Sequence, residues 1–211
     1  MVRTNKQGQA IGRKGSESRS RIVDAARALI AAPADRLSVR SISQAAGLAS
    51  QTFYLYFKDV DELLISLSRD ASKEIDEVAA ELDAAWDMSA LEEHTARFVA
   101  AFYQYWDRNR PILTIRNFRA DTGHPEFLAI RNQSMQPIVR RLAARIFAAQ
   151  EQNGLSERDA MARAIVIIAA IERMASRYSA LMDTGQSGLD SLDLKRAEAH
   201  ILLLMLSPPP Q

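Results

Sequence analysis

The chain has 211 residues, 47% of them hydrophobic, which suffices for one large or two small packed domains; its 27 Lys/Arg nearly balance 26 Asp/Glu. The absence of cysteine excludes a disulfide frame and thiolate metal sites and fits a reducing cytosol. The basic start MVRTNKQGQAIGRKG lacks an apolar signal core, and the run Ile201 to Leu206 is far shorter than the ~20 residues of a membrane span, so a soluble, cytoplasmic chain with no membrane partner is expected.

In chain order nearly every segment reads as helix. After a polar leader to about residue 17, Ile22, Ala26, Leu29 and Ile30 recur at helical spacing, and Pro33 ends that helix. Ser38 caps a second helix, and Gly47 supplies the positive φ that closes it, with Leu48 placed to tuck under the corner. A third helix spans 50–57, rich in aromatics. Asp59 with Glu62 forms a capping box for a long fourth helix through Leu63, Leu64, Leu67, Ile75, Val78 and Leu82. Ser89 with Glu92 repeats the device for a fifth, and a shorter helix follows Pro111. His124-Pro125 opens the next, which Pro137 should kink or divide. Asn153-Gly154 is a stop, Ser156 with Asp159 starts a long apolar helix to about Met182, and a loop from Gly185 to Gly188 leads to a last helix at 190–206. With no strand alternation and few glycines or prolines, the fold class is all-α, about nine helices in all.

The stretch VRSISQAAGLASQTFYLYF, Val39 to Phe57, sets two short helices around a glycine corner. This is helix-turn-helix grammar, in which the second helix can enter a DNA major groove. Charge agrees: residues 1–58 hold ten Lys/Arg against three acids, a net of +7, while the remainder carries −6. Such asymmetry points to nucleic acid, because phosphate attraction dominates sequence-independent affinity.

These residues carry a resemblance. Ile42, Ala46, Gly47, Thr52, Tyr54, Tyr56 and Phe57, followed by Leu63 and Leu64 in a capped long helix, look like the DNA-binding domain of the TetR family of bacterial regulators, over Arg21 to Leu67. The resemblance implies a three-helix N-terminal helix-turn-helix domain, linked by a long fourth helix to a C-terminal helical bundle. It implies a homodimer on a palindromic operator in double-stranded DNA, most simply a repressor, that leaves when a small molecule occupies the C-terminal domain. The expected boundaries are a flexible basic arm at 1–17, a DNA-binding domain at 18–66 and a ligand-binding and dimerisation domain at 67–211. Val60 stands where the family commonly has lysine, Gln51 where glycine is frequent and Ala49 where a capping serine is common. Lys58 is the nearest replacement for the lysine, and the recognition helix either starts one residue later at Ser50 or forgoes a cap worth ~1 kcal/mol.

For DNA, Gln51 and Thr52 are the candidates for base edges, with Ser50 and Leu55 beside them; glutamine can bond adenine in bidentate fashion, and Leu55 can touch a thymine methyl. Ser38, Arg40, Tyr54, Tyr56 and Lys58 are expected on phosphates, fixing register rather than reading sequence. Phe53 and Phe57 are expected in the core. Arg13 and Lys14, between Gly12 and Gly15, belong either to a minor-groove arm or to a solvated tail.

In the C-terminal half, Phe98, Phe102, Tyr103, Trp106, Phe118, Met135, Met174 and Tyr178 are expected to line a cavity for a small apolar or amphipathic effector, with Asn117 and Glu172 as orienting groups. Ala160, Ala164, Ile167, Ile171, Ala175 and Ser179 offer a surface for close helix approach, and the last two helices are expected to form the dimer contact. No cofactor or metal is implied: His94, His124 and His200 are isolated, and no phosphate loop or nucleophile-base order is present, so an enzyme is not expected. The rival reading is a DNA-bound architectural or adaptor protein without an effector.

Overall fold

The computed structural model describes residues 13–31, 37–84, 86–182 and 190–207, and within them the regular structure is helical. The helices are α1 (Arg13–Ala31), α2 (Val39–Ala45), α3 (Ser50–Tyr54), α4 (Val60–Lys73), α5 (Ile75–Asp83), α6 (Leu91–Asp121), α7 (Pro125–Gln150), α8 (Glu157–Met182) and α9 (Ser191–Leu206), with single 3-10 turns before α6 and after α7. The chain divides into two compact units, one of residues 1–71 and 111–128, the other of 72–110 and 129–211. Pro33 and the loop from Gly185 to Gly188 lie outside the described residues, as does the leader through residue 12.

In the first unit α1 to α3 close around Ile22, Ala26, Ile42, Ala46, Phe53 and Phe57, all buried, and α4 adds Leu63, Leu64 and Leu67. Leu29 and Ile30 are only half-buried. Burying aromatic side chains at 53 and 57 contributes on the order of 2–3 kcal/mol each relative to exposure, and their rings meet at 5.6 Å. Asp59 accepts from the Glu62 N–H at 2.8 Å and starts α4 as the sequence predicts. Two ion pairs join later parts of the same unit to α4: Arg119 to Asp61 at 2.7 Å and Arg69 to Glu126 at 2.5 Å.

Four helix expectations change outside α3. α1 begins at Arg13, so Arg13 to Glu17 belong to a helix rather than to a free arm. The expected long fourth helix is interrupted at Glu74, although its apolar stripe continues through Ile75, Val78, Ala79 and Leu82. The Glu74 carboxylate there accepts from Asn109 of α6 at 2.7 Å. Pro111 begins no new helix; α6 runs through it. A mid-helix proline forfeits one backbone hydrogen bond, and burial of Tyr105 and Trp106 before it and Ile112 and Leu113 after it holds both sides in helical conformation. Pro137 likewise leaves α7 undivided.

The second unit packs α5, the first part of α6, most of α7, α8 and α9. Gly154, at φ +79°, ends the turn after α7, and Ser156 caps α8 by accepting from the Asp159 N–H at 3.1 Å. Asp190 caps α9, bonding the N–H groups of Leu192 and Asp193. The α8 stripe expected at a subunit contact is turned inward: Ala160, Ala164, Ile167, Ile171 and Ala175 are buried within this one chain. The opposite side of α8 exposes Ile165 and Val166, and α9 exposes Ile201 and Leu204. The Ser179 side chain lies outside the described residues. None of the described helices is long and apolar enough to cross a membrane.

Candidate nucleic-acid interface

α2 is short and depends on its ends. Ser38 accepts from the Ser41 N–H at 3.1 Å while Ser41 accepts from the Ser38 N–H at 3.0 Å, a reciprocal box that satisfies two donors lacking helical partners. At the other end Gly47 takes φ +62°, with its N–H on the Gln44 carbonyl at 3.0 Å and the Leu48 N–H on that of Ser43 at 2.9 Å. Arg21 of α1 reaches over this corner and donates to the carbonyls of Ala46 at 2.6 Å and Gly47 at 3.2 Å. Neighbouring Arg19 lies 5.2 Å above the Phe57 ring and donates to the Ser66 hydroxyl of α4 at 3.0 Å. Counting charges groups both arginines with phosphate-seeking residues. Instead each holds α1 to the helix-turn-helix or to α4, and no sequence spacing marks that role.

The corner presents α3 outward. Ala49 is its N-cap and makes no side-chain cap bond; the helix begins without one. Regular helix ends at Tyr54, three residues earlier than predicted, and Leu55 and Tyr56 form the following turn. Ser50, Gln51, Tyr54 and Leu55 are exposed, Tyr54 by 53% and Leu55 by 39%, while Phe53 between them is fully buried. Thr52 and Tyr56 are half-buried, and Arg40 and Lys58 are exposed. Ser38 is half-buried with its hydroxyl in the cap, so its hydroxyl already has a structural task. The rim therefore combines two cations, polar side chains and one apolar contact on a rigid base.

The residues expected to bind an effector distribute differently. Phe98, Phe102, Tyr103 and Trp106 are fully buried along α6 in the second unit, and Met135 of α7 is buried. Glu172 and Met174 of α8 are half-buried, and the Tyr178 side chain lies outside the described residues. Asn117 and Phe118 fall in the first unit. Phe118 is 66% exposed and lines no interior, a correction to its expected place: its turn of α6 faces away from the side that buries Leu113, Arg116 and Ala120. Glu198 of α9, which sequence reasoning missed, is buried, accepts from the Tyr103 hydroxyl at 3.4 Å and leaves its second oxygen without a partner. Burial pushes its carboxyl up to about 7, against the smaller opposing effects of Tyr103 and Lys195.

Residues 22–67 match the family model described as bacterial regulatory proteins, tetR family, and residues 78–207 match that of the tetracyclin repressor-like C-terminal domain. The chain belongs to the TetR family. It is therefore a DNA-binding transcriptional regulator, from a family whose members are not enzymes. TetR-family structures also share its fold. The fatty acid degradation regulator FadR from Bacillus halodurans superposes with a TM-score of 0.65 at 20% identity, covering 91% of this chain and 97% of that one. FadR from Bacillus subtilis, in complex with stearoyl-CoA, gives 0.61 at 18% identity over 88% and 97%. PfmR from Thermus thermophilus gives 0.61 at 18% identity over 87% and 97%. No curated protein matches the chain.

Proposed function

We propose that this TetR-family chain is a cytoplasmic homodimeric repressor, released from a palindromic operator by a small apolar or amphipathic ligand held in the C-terminal helices. The observation that carries the reading is the exposure of Ser50, Gln51, Tyr54 and Leu55 on a helix anchored from beneath by buried Phe53. A helix held in this way can be pressed into a major groove without losing its own support. Gln51, Thr52, Ser50 and Leu55 read base edges; Arg40, Lys58, Tyr54, Tyr56 and the backbone around Ser38 fix register on phosphates. Residues 18–66 act as the DNA-binding domain and 67–211 as the ligand and dimer domain.

Exposed Ile165 and Val166 on α8 with Ile201 and Leu204 on α9 support the dimer, since two helices from each subunit can bury these side chains in an isologous four-helix contact. The pairing also meets a DNA requirement: two recognition helices must sit ~34 Å apart to enter successive grooves. A ligand that favours a different spacing opposes DNA with a reciprocal coupling of ~1–3 kcal/mol. The stearoyl-CoA held by the Bacillus subtilis relative makes fatty acyl-CoA the first effector class to test.

The decisive experiment selects bound sequences from random duplex DNA and then screens acyl-CoAs and other amphipathic compounds for release. A palindromic consensus and a releasing compound are expected. Failure to retain any duplex at low ionic strength would remove the regulator reading; retention with no releasing compound would favour the adaptor.

A further inference from the structure

The second unit contains a groove of about 440 Å³ between the first part of α6 and α9. Its apolar walls come from Ala96 and Ala100 of α6 and from Leu192, Ala199 and Leu203 of α9. Positions 96 and 100 are one helical turn apart, as are 199 and 203, so each helix presents a continuous strip. The space exists because three of these five side chains are single methyl groups. The strip on α9 borders the side that buries Leu202 and Leu206, Ala199 being buried with them, and is turned from the side that exposes Ile201 and Leu204, where the dimer contact is proposed.

The rim is charged unevenly. Lys195, Arg196 and His200 line it against the single carboxylate of Glu92. The Lys195 ammonium stands 4.8 Å above the Tyr103 ring, which orients it without neutralising it. Burial pushes the carboxyl of Glu198, three residues after Lys195, up to about 7, so around neutral pH it carries only part of a negative charge to set against the Lys195 ammonium. A volume of this size lies within the range of small-molecule sites, ~300–1,000 Å³.

We propose that this groove binds an amphipathic organic anion, its apolar body along Ala96, Ala100, Ala199 and Leu203 and its acidic head on Lys195 and Arg196. The inference deepens the proposed function and rests on it for one step only, the coupling of occupancy to DNA release.

Calorimetric titration of the full chain without DNA tests it, with decanoate as probe and decylammonium, which has the same tail and the opposite charge, as control. Decanoate should bind at least about tenfold more tightly, equivalent to ~1.4 kcal/mol. Arg196→Glu, at an exposed position, should remove that preference, and Ala100→Trp should abolish decanoate binding by filling the strip. Circular dichroism establishes that each variant is folded; if Ala100→Trp is not, Arg196→Glu decides the question alone. Equal affinity for the two probes, no decanoate heat, or an unchanged preference in Arg196→Glu would overturn the proposal, even if another compound frees DNA. Decanoate binding that meets these expectations establishes the groove; if it then leaves DNA retention unaltered, that counts against the release reading alone.

Discussion

Arg21 and Gly47 occupy one another's space. A methyl group on Gly47 would lie 2.8 Å from the Arg21 guanidinium, which uses that position to bond the carbonyls of Ala46 and Gly47. The corner between α2 and α3 is thus held by a positive φ that favours glycine and by a charged donor that needs the glycine to be bare. Gly47→Ala should cost ~1–2 kcal/mol for the left-handed backbone and should also displace Arg21. Thermal unfolding measures the first effect, and weaker operator binding reports the second.

Arg21→Ala separates holding the corner from touching phosphate. Because its guanidinium is committed to protein carbonyls, the variant should bind operator more weakly with an unchanged dependence on salt. A residue that neutralises a phosphate would lower the salt slope by ~1 on removal. Fluorescence anisotropy across a salt series distinguishes the two, and a reduced slope would place Arg21 on the DNA.

Gln51 is exposed near the start of α3. If it makes the bidentate contact proposed, Gln51→Ala should lose ~1–3 kcal/mol of discrimination at one operator position and little elsewhere. Binding to a set of single-base operator variants measures this. Undiminished discrimination at every position would assign base reading to Thr52 and Leu55 instead.

The helix-turn-helix was legible because its signals are local: Gly47 closes a corner, Ser38 caps a helix, and Phe53 and Phe57 recur at one helical turn. Each depends on residues within a few positions. What was illegible depends on distant partners. Arg21 looks like any basic residue until α2 arrives beside it, and Pro111 looks like a helix start until packing carries α6 through it. The α8 stripe shows the same limit more sharply. Helical spacing groups Ala160, Ala164, Ile167 and Ile171 on one face, but it cannot say whether that face meets its own chain or a second copy. Both faces of α8 are apolar, and the structure assigns the small residues inward and leaves Ile165 and Val166 outside.

That assignment predicts how the proposed dimer would break. Val166 is 66% exposed in the single chain, so an aspartate there is tolerated by the isolated subunit. In a contact between copies the same carboxylate would be buried without a partner, at a cost on the order of 3 kcal/mol, or roughly a hundredfold in dissociation constant. Analytical ultracentrifugation of Val166→Asp should show monomer where the parent is dimeric, with retained helicity. A dimer of undiminished stability would move the contact off this part of α8.

Glu198 provides a prediction in pH. Its carboxyl is raised from 4.5 to about 7 in the folded chain, chiefly by burial. Between those values the folded state holds a proton that the unfolded state releases, so this residue's contribution to stability declines as pH rises through that window. Below 4.5 both states are protonated and there is no penalty; above about 7 the penalty levels off, at roughly 3 kcal/mol. Glu198→Gln keeps the shape and removes the charge. Chemical denaturation of parent and variant from pH 5 to pH 8 should show their stabilities diverging in favour of the variant as pH increases. Parallel curves would mean that Glu198 titrates at its ordinary value, and that the unpartnered oxygen beside Tyr103 reaches water.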